Sequence, residues 1–205
     1  VAEEAGRITN VPHDPALPVD TYWDLGMDDS TSVWFLQQVG QEYRLIDYLE
    51  NSGEGLPWYA KALSEGDRKE YGYREHVLPH DGSVRDLSSG KKRSETLRGL
   101  VPSGKVYVAP KHQPETGINS ARLLIPKCWF DRAKCEHGLK ALRNYQKKWD
   151  GKNQIWSSKP LHDWSSHGAD SFRLLAVETR PEGNRRGYME RQTMVEDYGY
   201  NIFGG

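Results

Sequence analysis

Apolar and polar residues first alternate and then recur at helical spacing, and the change of rhythm divides the chain. Over 19–25 the order Val-Asp-Thr-Tyr-Trp-Asp-Leu sets Val19, Thr21, Trp23 and Leu25 on one face of a strand. Asp20, Tyr22 and Asp24 share the other face. A turn over 26–30 leads to a second strand at 32–39 with an almost continuous apolar centre. Gly40-Gln41 then turns the chain into a third strand at 42–49. This rhythm predicts a three-stranded antiparallel meander.

Helix and strand units follow. Pro57 opens a predicted helix over 57–65 with Trp58, Ala62 and Leu63 facing inward. A strand over 73–78 stops at Pro79-His80-Asp81-Gly82. A short helix is expected at 94–100, a strand at 105–109 and a helix at 116–124. A longer helix is expected over 129–149, where Cys135, Leu139, Leu142 and Trp149 trace an apolar stripe beside Lys140, Arg143 and Lys147. Residues 150–165 read as a polar loop, and 166–178 as a closing helix packed through Phe172, Leu174, Leu175 and Val177. Residues 1–18, with three prolines, read as a lead-in segment or linker. The body of the domain runs over 19–180, and 181–205 as a flexible C-terminal arm. Three antiparallel strands followed by helix–strand units imply an α/β fold, a mixed sheet with helices on both faces.

Bulk composition narrows the class only a little. The 205 residues can hold one full-sized domain, with 36% hydrophobic and 28% charged residues. No apolar run is long enough for a membrane helix, and no signal peptide is visible at the start. With Val1 in first place, the chain is expected to be one domain of something longer. A net charge of −1 argues against coating nucleic acid by bulk charge but permits a local basic patch. Cys128 and Cys135, about two turns apart on the expected helix, are too distant for a disulfide and lack partners for zinc. They are expected to be buried reduced thiols.

Three aspartates stand at structural landmarks: Asp24 near the end of the first strand, Asp81 just past a later strand, and Asp170 in the closing helix. Each alone has an ordinary explanation. Asp24 can open a turn, Asp81-Gly82 is a common turn pair, and Asp170 can favour a helix dipole. If the first and fourth strands are central neighbours, the first two carboxylates emerge side by side, and a helix crossing the sheet can bring the third. Such a set suits two divalent cations about 3.5–4 Å apart, holding the attacking water and the leaving oxygen of a phosphodiester. Mg2+ and Mn2+ are hard ions that prefer oxygen ligands.

The strings around these residues resemble the acidic motifs of the C-terminal nuclease domain of tailed-bacteriophage large terminases. Trp23-Asp24-Leu25-Gly26-Met27-Asp28-Asp29 looks like the first motif and His76-Val77-Leu78-Pro79-His80-Asp81-Gly82 like the second. The segment from His162 to Arg173, with a small pair before Asp170 and an aromatic-Arg after it, resembles the third and is the most specific. The resemblance covers about residues 18–178 and implies a ribonuclease-H-like, two-metal endonuclease. Such an enzyme cuts double-stranded viral DNA during packaging, with little sequence preference, in the cytoplasm of the infected bacterial host. By that likeness Asp24 bridges two ions, Asp81 holds one and Asp170 the other. The implied partners are double-stranded DNA, the ATPase domain of the same large subunit, a portal ring and a small terminase subunit.

Further candidates cluster around these motifs. Asp28, Asp29, Lys159, His80, His162, Asp163 and His167 are candidate outer ligands or proton-handling groups. Lys91, Lys92, Arg93 and Arg98, with Lys140, Arg143 and Lys147, are candidate phosphate-positioning groups. The string Ser88-Ser89-Gly90-Lys91-Lys92-Arg93-Ser94 lacks the first glycine of an ATPase phosphate loop, so no motor is expected within this chain. Two other readings compete. His162, Asp163, His167 and Asp170 also suit a His-Asp metal phosphohydrolase, which would be all-helical. A non-catalytic docking module of a packaging motor would keep the fold without the chemistry.

Overall fold

A computed structural model describes residues 2–26, 30–86, 89–151 and 154–179. The central sheet is built from β1 (Ile8–Thr9), β2 (Val19–Asp24), β3 (Ser30–Val39), β4 (Glu42–Ser52), β5 (Tyr73–Leu78), β6 (Lys105–Val108) and β7 (Cys128–Asp131). Its spatial order is β1-β7-β4-β3-β2-β5-β6. The meander β2-β3-β4 is antiparallel, while β5 and β6 extend one flank parallel to β2, and β7 and β1 extend the other parallel to β4. Among the described residues five α-helices complete the fold: α1 (Leu56–Ala62), α2 (Arg93–Arg98), α3 (Pro114–Leu124), α4 (Glu136–Asn144) and α5 (Trp164–Glu178). The expected mixed sheet with helices on both faces is what forms.

Alternation along the strands supplies two separate cores. On one face Tyr22, Trp34, Leu36, Leu45 and Phe130 meet Leu124 of α3, Leu139 of α4 and Phe172 and Leu175 of α5. On the other, Val19, Trp23, Val33, Phe35 and Ile46 meet Tyr59, Ala60 and Leu63 from the α1 region and Leu97 of α2. Between β3 and β4 the pairing slips, with Phe35 opposite Asp47 and Leu36 opposite Leu45, leaving Ile46 as the extra residue of a bulge. The bulge lets Asp47 remain on the second face, where Arg68 holds it through Nε at 2.7 Å. Asp20, almost fully buried, is held by Arg74 in the same way.

Three expectations need correction. The single helix over 129–149 does not form. Cys128–Asp131 is instead the parallel strand β7, α4 covers only Glu136–Asn144, and Lys147–Asp150 begins a new strand, β8. Cys128 and Phe130 point into the core between β4 and α5, and a short apolar run is equally compatible with strand or helix until a neighbour claims it. The Asp131 carboxylate then stops the strand by accepting the amides of Ala133 and Lys134, at 3.1 and 2.9 Å. Both cysteines are buried and free, but Cys128 lies in a strand and Cys135 precedes α4, so helical spacing is not what separates them.

The supposed polar loop over 150–165 contains β9 (Ile155–Pro160), which pairs with β8 as a separate antiparallel hairpin. The lead-in segment is not external to the sheet: β1 adds its outermost strand, and Ile8 and Val11 are buried. The all-helical frame needed by the His-Asp phosphohydrolase reading is absent. Among the described residues no helix is long and apolar enough to cross a membrane. The arm over 181–205 lies outside the described residues.

Candidate active site

The parallel neighbours β2 and β5 run in register, Tyr22 beside Val77, so their C-terminal ends open on one edge of the sheet. Asp24 is the last residue of β2. After β5, Pro79 leads into a 3-10 turn, His80–Ser83, that carries Asp81. Gly82 in that turn sits against Leu78, where an added Cβ would approach the Leu78 Cβ to 2.9 Å. A side chain there would push the turn, and Asp81 with it, off the strand end.

The third carboxylate arrives on α5. Asp163 caps the helix by accepting the Ser165 amide at 2.9 Å. Gly168 lets α5 lie close to the sheet, since a Cβ would stand 2.6 Å from the Tyr48 hydroxyl oxygen. The contact is fastened by Trp34 Nε1 donating to the Gly168 carbonyl at 2.8 Å and Ser32 Oγ donating to the His167 carbonyl at 2.8 Å. Phe172 inserts below, edge-on to Trp34 at 5.5 Å. Asp170 is thereby brought to the edge where the strands end. Asp24, Asp81 and Asp170 line one open cleft of about 210 Å³, together with His112, Gln113 and Arg173.

Charge is concentrated here. Burial raises the Asp24 pKa above the ordinary carboxylate value; His167 opposes the shift and the Asp81 charge adds to it. Burial likewise pushes Asp170 up to about 6, against the pull of Arg173 and with the Asp24 charge adding to the rise. In each case the anion is disfavoured in a site containing three carboxylates. Every carboxylate leans on a base of its own: Asp24 Oδ2 lies 3.4 Å from His167 Nδ1, Asp81 Oδ2 3.7 Å from Arg93 Nη1, and Asp170 Oδ1 2.8 Å from Arg173 Nη2. The Tyr145 hydroxyl also donates to Asp170, at 3.3 Å. The other oxygen of Asp81, Oδ1, is buried without a hydrogen-bond partner among the described residues.

Hard oxygen donors, two disfavoured anions and one orphaned acceptor suit a divalent cation. The side chains are not drawn together into a finished cage: among the described residues, no group of three His, Cys, Asp or Glu is spaced to hold an ion. A shared cation would require the carboxylates to turn from their basic partners by side-chain rotation.

The other candidates divide. His80 and His167 belong to the site, one lining the cleft and the other against Asp24. His162 stands beside them, its ring centre 5.6 Å from that of His167. Asp163, expected as an outer ligand, caps the helix through Oδ1, which accepts from the Ser165 amide and hydroxyl. Asp163→Ala should therefore cost about 1 kcal/mol in thermal melts, with cleft chemistry unaffected below the melting range. Loss of metal affinity without loss of stability would contradict that assignment.

Arg93 reaches the cleft through Asp81, whereas Lys91 and Arg98 are exposed and Lys92 half-buried around α2, none of them lining it. Lys140 and Arg143 are already paired, with Glu136 at 2.8 Å and Glu3 at 3.0 Å. Lys147 and Lys159 lie in the hairpin strands, and their side chains, like residues Asp28 and Asp29, lie outside the described part. Residues that the sequence reading assigned no role are Arg173, Tyr145 and His112. Arg173 follows Asp170 by three positions on a helix, a spacing that places the two side chains together and was a readable signal. His112, in a loop and bound to Glu178 at 2.5 Å, carried none.

The arrangement defines a class: a mixed-sheet α/β domain with carboxylates at the C-terminal ends of adjacent parallel strands and a third on a covering helix, the ribonuclease-H-like pattern. The particular likeness is to large terminases. No family model matches the sequence, and no curated protein matches it. The nuclease domain of the large terminase g2p of bacteriophage SPP1, solved with bound Mn, superposes with a TM-score of 0.58 at 15% identity, covering 83% of this chain and 94% of that one. The P22 large terminase nuclease domain superposes at 0.57 and 17% identity, covering 91% and 89%. The large terminase of a thermophilic bacteriophage, in complex with ADP, gives 0.59 at 15% identity over 83% of this chain. The match spans 42% of that ADP-bound protein. This chain thus has the fold of the large-terminase nuclease domain.

Proposed function

We propose that this chain is a divalent-cation-dependent endonuclease domain that cuts double-stranded DNA during viral genome packaging. The observation carrying the reading is that three carboxylates from three separate elements line one cleft, with Asp81 Oδ1 buried and unpartnered among the described residues. Asp24, Asp81 and Asp170 would hold two ions, Mg2+ or Mn2+. Such ions supply an acidified water and neutralise charge on the phosphodiester. His167 orients the Asp24 carboxylate, and Arg93 beside Asp81 offers a fixed positive charge to the DNA backbone. The likeness to the ADP-bound large terminase supports a place beside an ATPase domain in a packaging motor, with a portal ring and a small subunit as partners, in the host cytoplasm.

The test is cleavage of supercoiled plasmid. With Mn2+ or Mg2+ the wild-type chain should nick and linearise the plasmid, and EDTA should stop it. Asp81→Asn, folded by circular dichroism, should be inactive. A folded wild-type chain that leaves the plasmid intact with either ion would instead make this a docking module.

A further inference from the structure

Among the described residues, Arg173 is the one Arg or Lys side chain lining the cleft, and its guanidinium is mostly unspent. Its side chain is only 18% exposed, and Nη2 binds Asp170 at 2.8 Å. Nε and Nη1 are buried and have no hydrogen-bond partner among the described residues. Leaving donors of a charged group buried and unsatisfied costs more than the mean worth of a hydrogen bond, so native folds seldom keep them without a ligand to meet them. The fold holds the group in place nonetheless. Gly117 of α3 lies flat against its stem, a Cβ there falling 3.0 Å from the Arg173 Cβ, and the Tyr145 ring centre is 5.7 Å from its Cζ. Arg173 lines the same cleft as Asp24, Asp81 and Asp170, and its buried donors would reach a ligand there once the guanidinium turns from Asp170. The ligand they suit is an anion that can enter an acidic cleft, and a planar guanidinium matches the paired oxygens of a phosphodiester.

Resting on the nuclease reading above, we infer that Arg173 is a phosphate-binding residue of the cleft that also serves as a resident counter-ion for Asp170. In the metal-free protein it neutralises Asp170. When that carboxylate turns to a divalent ion, Nη2 is released and, with Nε or Nη1, completes a two-donor fork for a DNA phosphate. One side chain thereby links the two occupants of the site: it competes with the cation and binds the nucleic acid. No bond is made or broken in this exchange, which involves only a side-chain rotation and the transfer of hydrogen bonds.

The test uses the whole chain and two readouts that need no cleavage. Affinity for a short blunt DNA duplex is measured by fluorescence anisotropy across a salt series with Ca2+, an oxygen-seeking ion, in place of Mg2+ or Mn2+, and Mn2+ affinity by calorimetry without DNA. Arg173→Gln should weaken duplex binding about tenfold and reduce the slope of log affinity against log salt by about one. The same variant should bind Mn2+ more tightly, because a competing cation has gone. Arg173→Lys keeps the charge without the fork, so it should retain the salt slope while losing part of the affinity. A residue that merely braced the fold would weaken both ligands together and lower the melting temperature. Unchanged duplex affinity and slope in both variants would overturn the phosphate role, and unchanged or weakened Mn2+ binding in Arg173→Gln would overturn the counter-ion role. If Arg173→Gln does not fold, the Lys variant alone decides: full wild-type duplex affinity would overturn the proposal. Should any of these overturning results be found, plasmid cleavage by wild type that still depends on Asp81 would show that the inference had failed and the nuclease reading had not.

Discussion

Asp24→Asn is expected to abolish metal-dependent cleavage while making the metal-free protein more stable. The loss should be at least about 10³-fold, about 4 kcal/mol of transition-state stabilisation, since Asp24 is the carboxylate proposed to serve both ions. The gain has a separate cause. Burial and the nearby Asp81 charge already disfavour ionised Asp24, and Asn fills nearly the same space without charge. Asp170 shows the same economy more openly, its carboxyl pushed up to about 6 with a side chain one-third exposed. Keeping it ionised at neutral pH costs on the order of 1–2 kcal/mol after screening by the open cleft.

The sign follows from linkage. Because the folded pKa of Asp170 lies above the unfolded one, the folded state binds its proton first. The penalty is fully present above about pH 6 and is relieved as pH falls toward the ordinary carboxylate value. The stability advantage of Asp170→Asn over wild type should therefore be largest near neutrality and shrink on acidification from pH 6 to pH 4. Mn2+ should reverse the order. A ligand at 1,000 times its Kd adds about 4 kcal/mol to the form that binds it, so wild type should gain several degrees in Tm and the Asn variants little. Paired melting curves with Mn2+ and with EDTA provide the check. Equal Mn2+ shifts in wild type and both variants would remove Asp24 and Asp170 from the metal site.

Trp34→Ala is expected to give the largest loss of stability, about 3–5 kcal/mol. Trp34 is completely buried, packs edge-on against Phe130 and Phe172, and donates its indole N–H to Gly168. It therefore binds β3 to α5 by both volume and hydrogen bond. Trp34→Phe keeps most of the volume and removes one donor from the Gly168 carbonyl, which still accepts from Ser171 Oγ at 3.2 Å, so it should cost about 1 kcal/mol. Urea unfolding separates the two variants. Near-equal losses would mean that the hydrogen bond dominates and the cavity hardly matters. Because α5 also carries Asp170, the Ala variant should lose cleavage at temperatures where the Phe variant still retains it.

The parts of the fold that were legible share a feature. Strand β2 alternates cleanly, β5 ends at a proline, and the closing helix has regular apolar spacing, so each declares its type within a few residues. Element α5 begins at Trp164, just behind its Asp163 cap, two residues earlier than periodicity alone suggested. What misled was the segment from Cys128 onward. Cys-Trp-Phe is apolar on consecutive positions and merges by eye with the helix that follows, whereas a vacant position beside β4 makes it a strand. The hairpin β8–β9 was missed for a related reason: its residues alternate weakly, and its partner is simply the next strand.

The candidate site divides along the same line. Asp24, Asp81 and Asp170 could be named from landmarks in their own elements, and Arg173 stood within reach of the same reasoning. That Arg93 faces Asp81, that His167 faces Asp24 and that two nitrogens of Arg173 are left unspent could not be named, because each depends on elements far apart along the chain. Sequence by itself determined which face of each strand and helix is apolar and which residue types stand at their ends, because those depend on local geometry with fixed periods. Only the tertiary structure decided that three carboxylates meet in one cleft and which bases hold them, because that follows from the sheet order and from how closely Gly168 allows one helix to approach it.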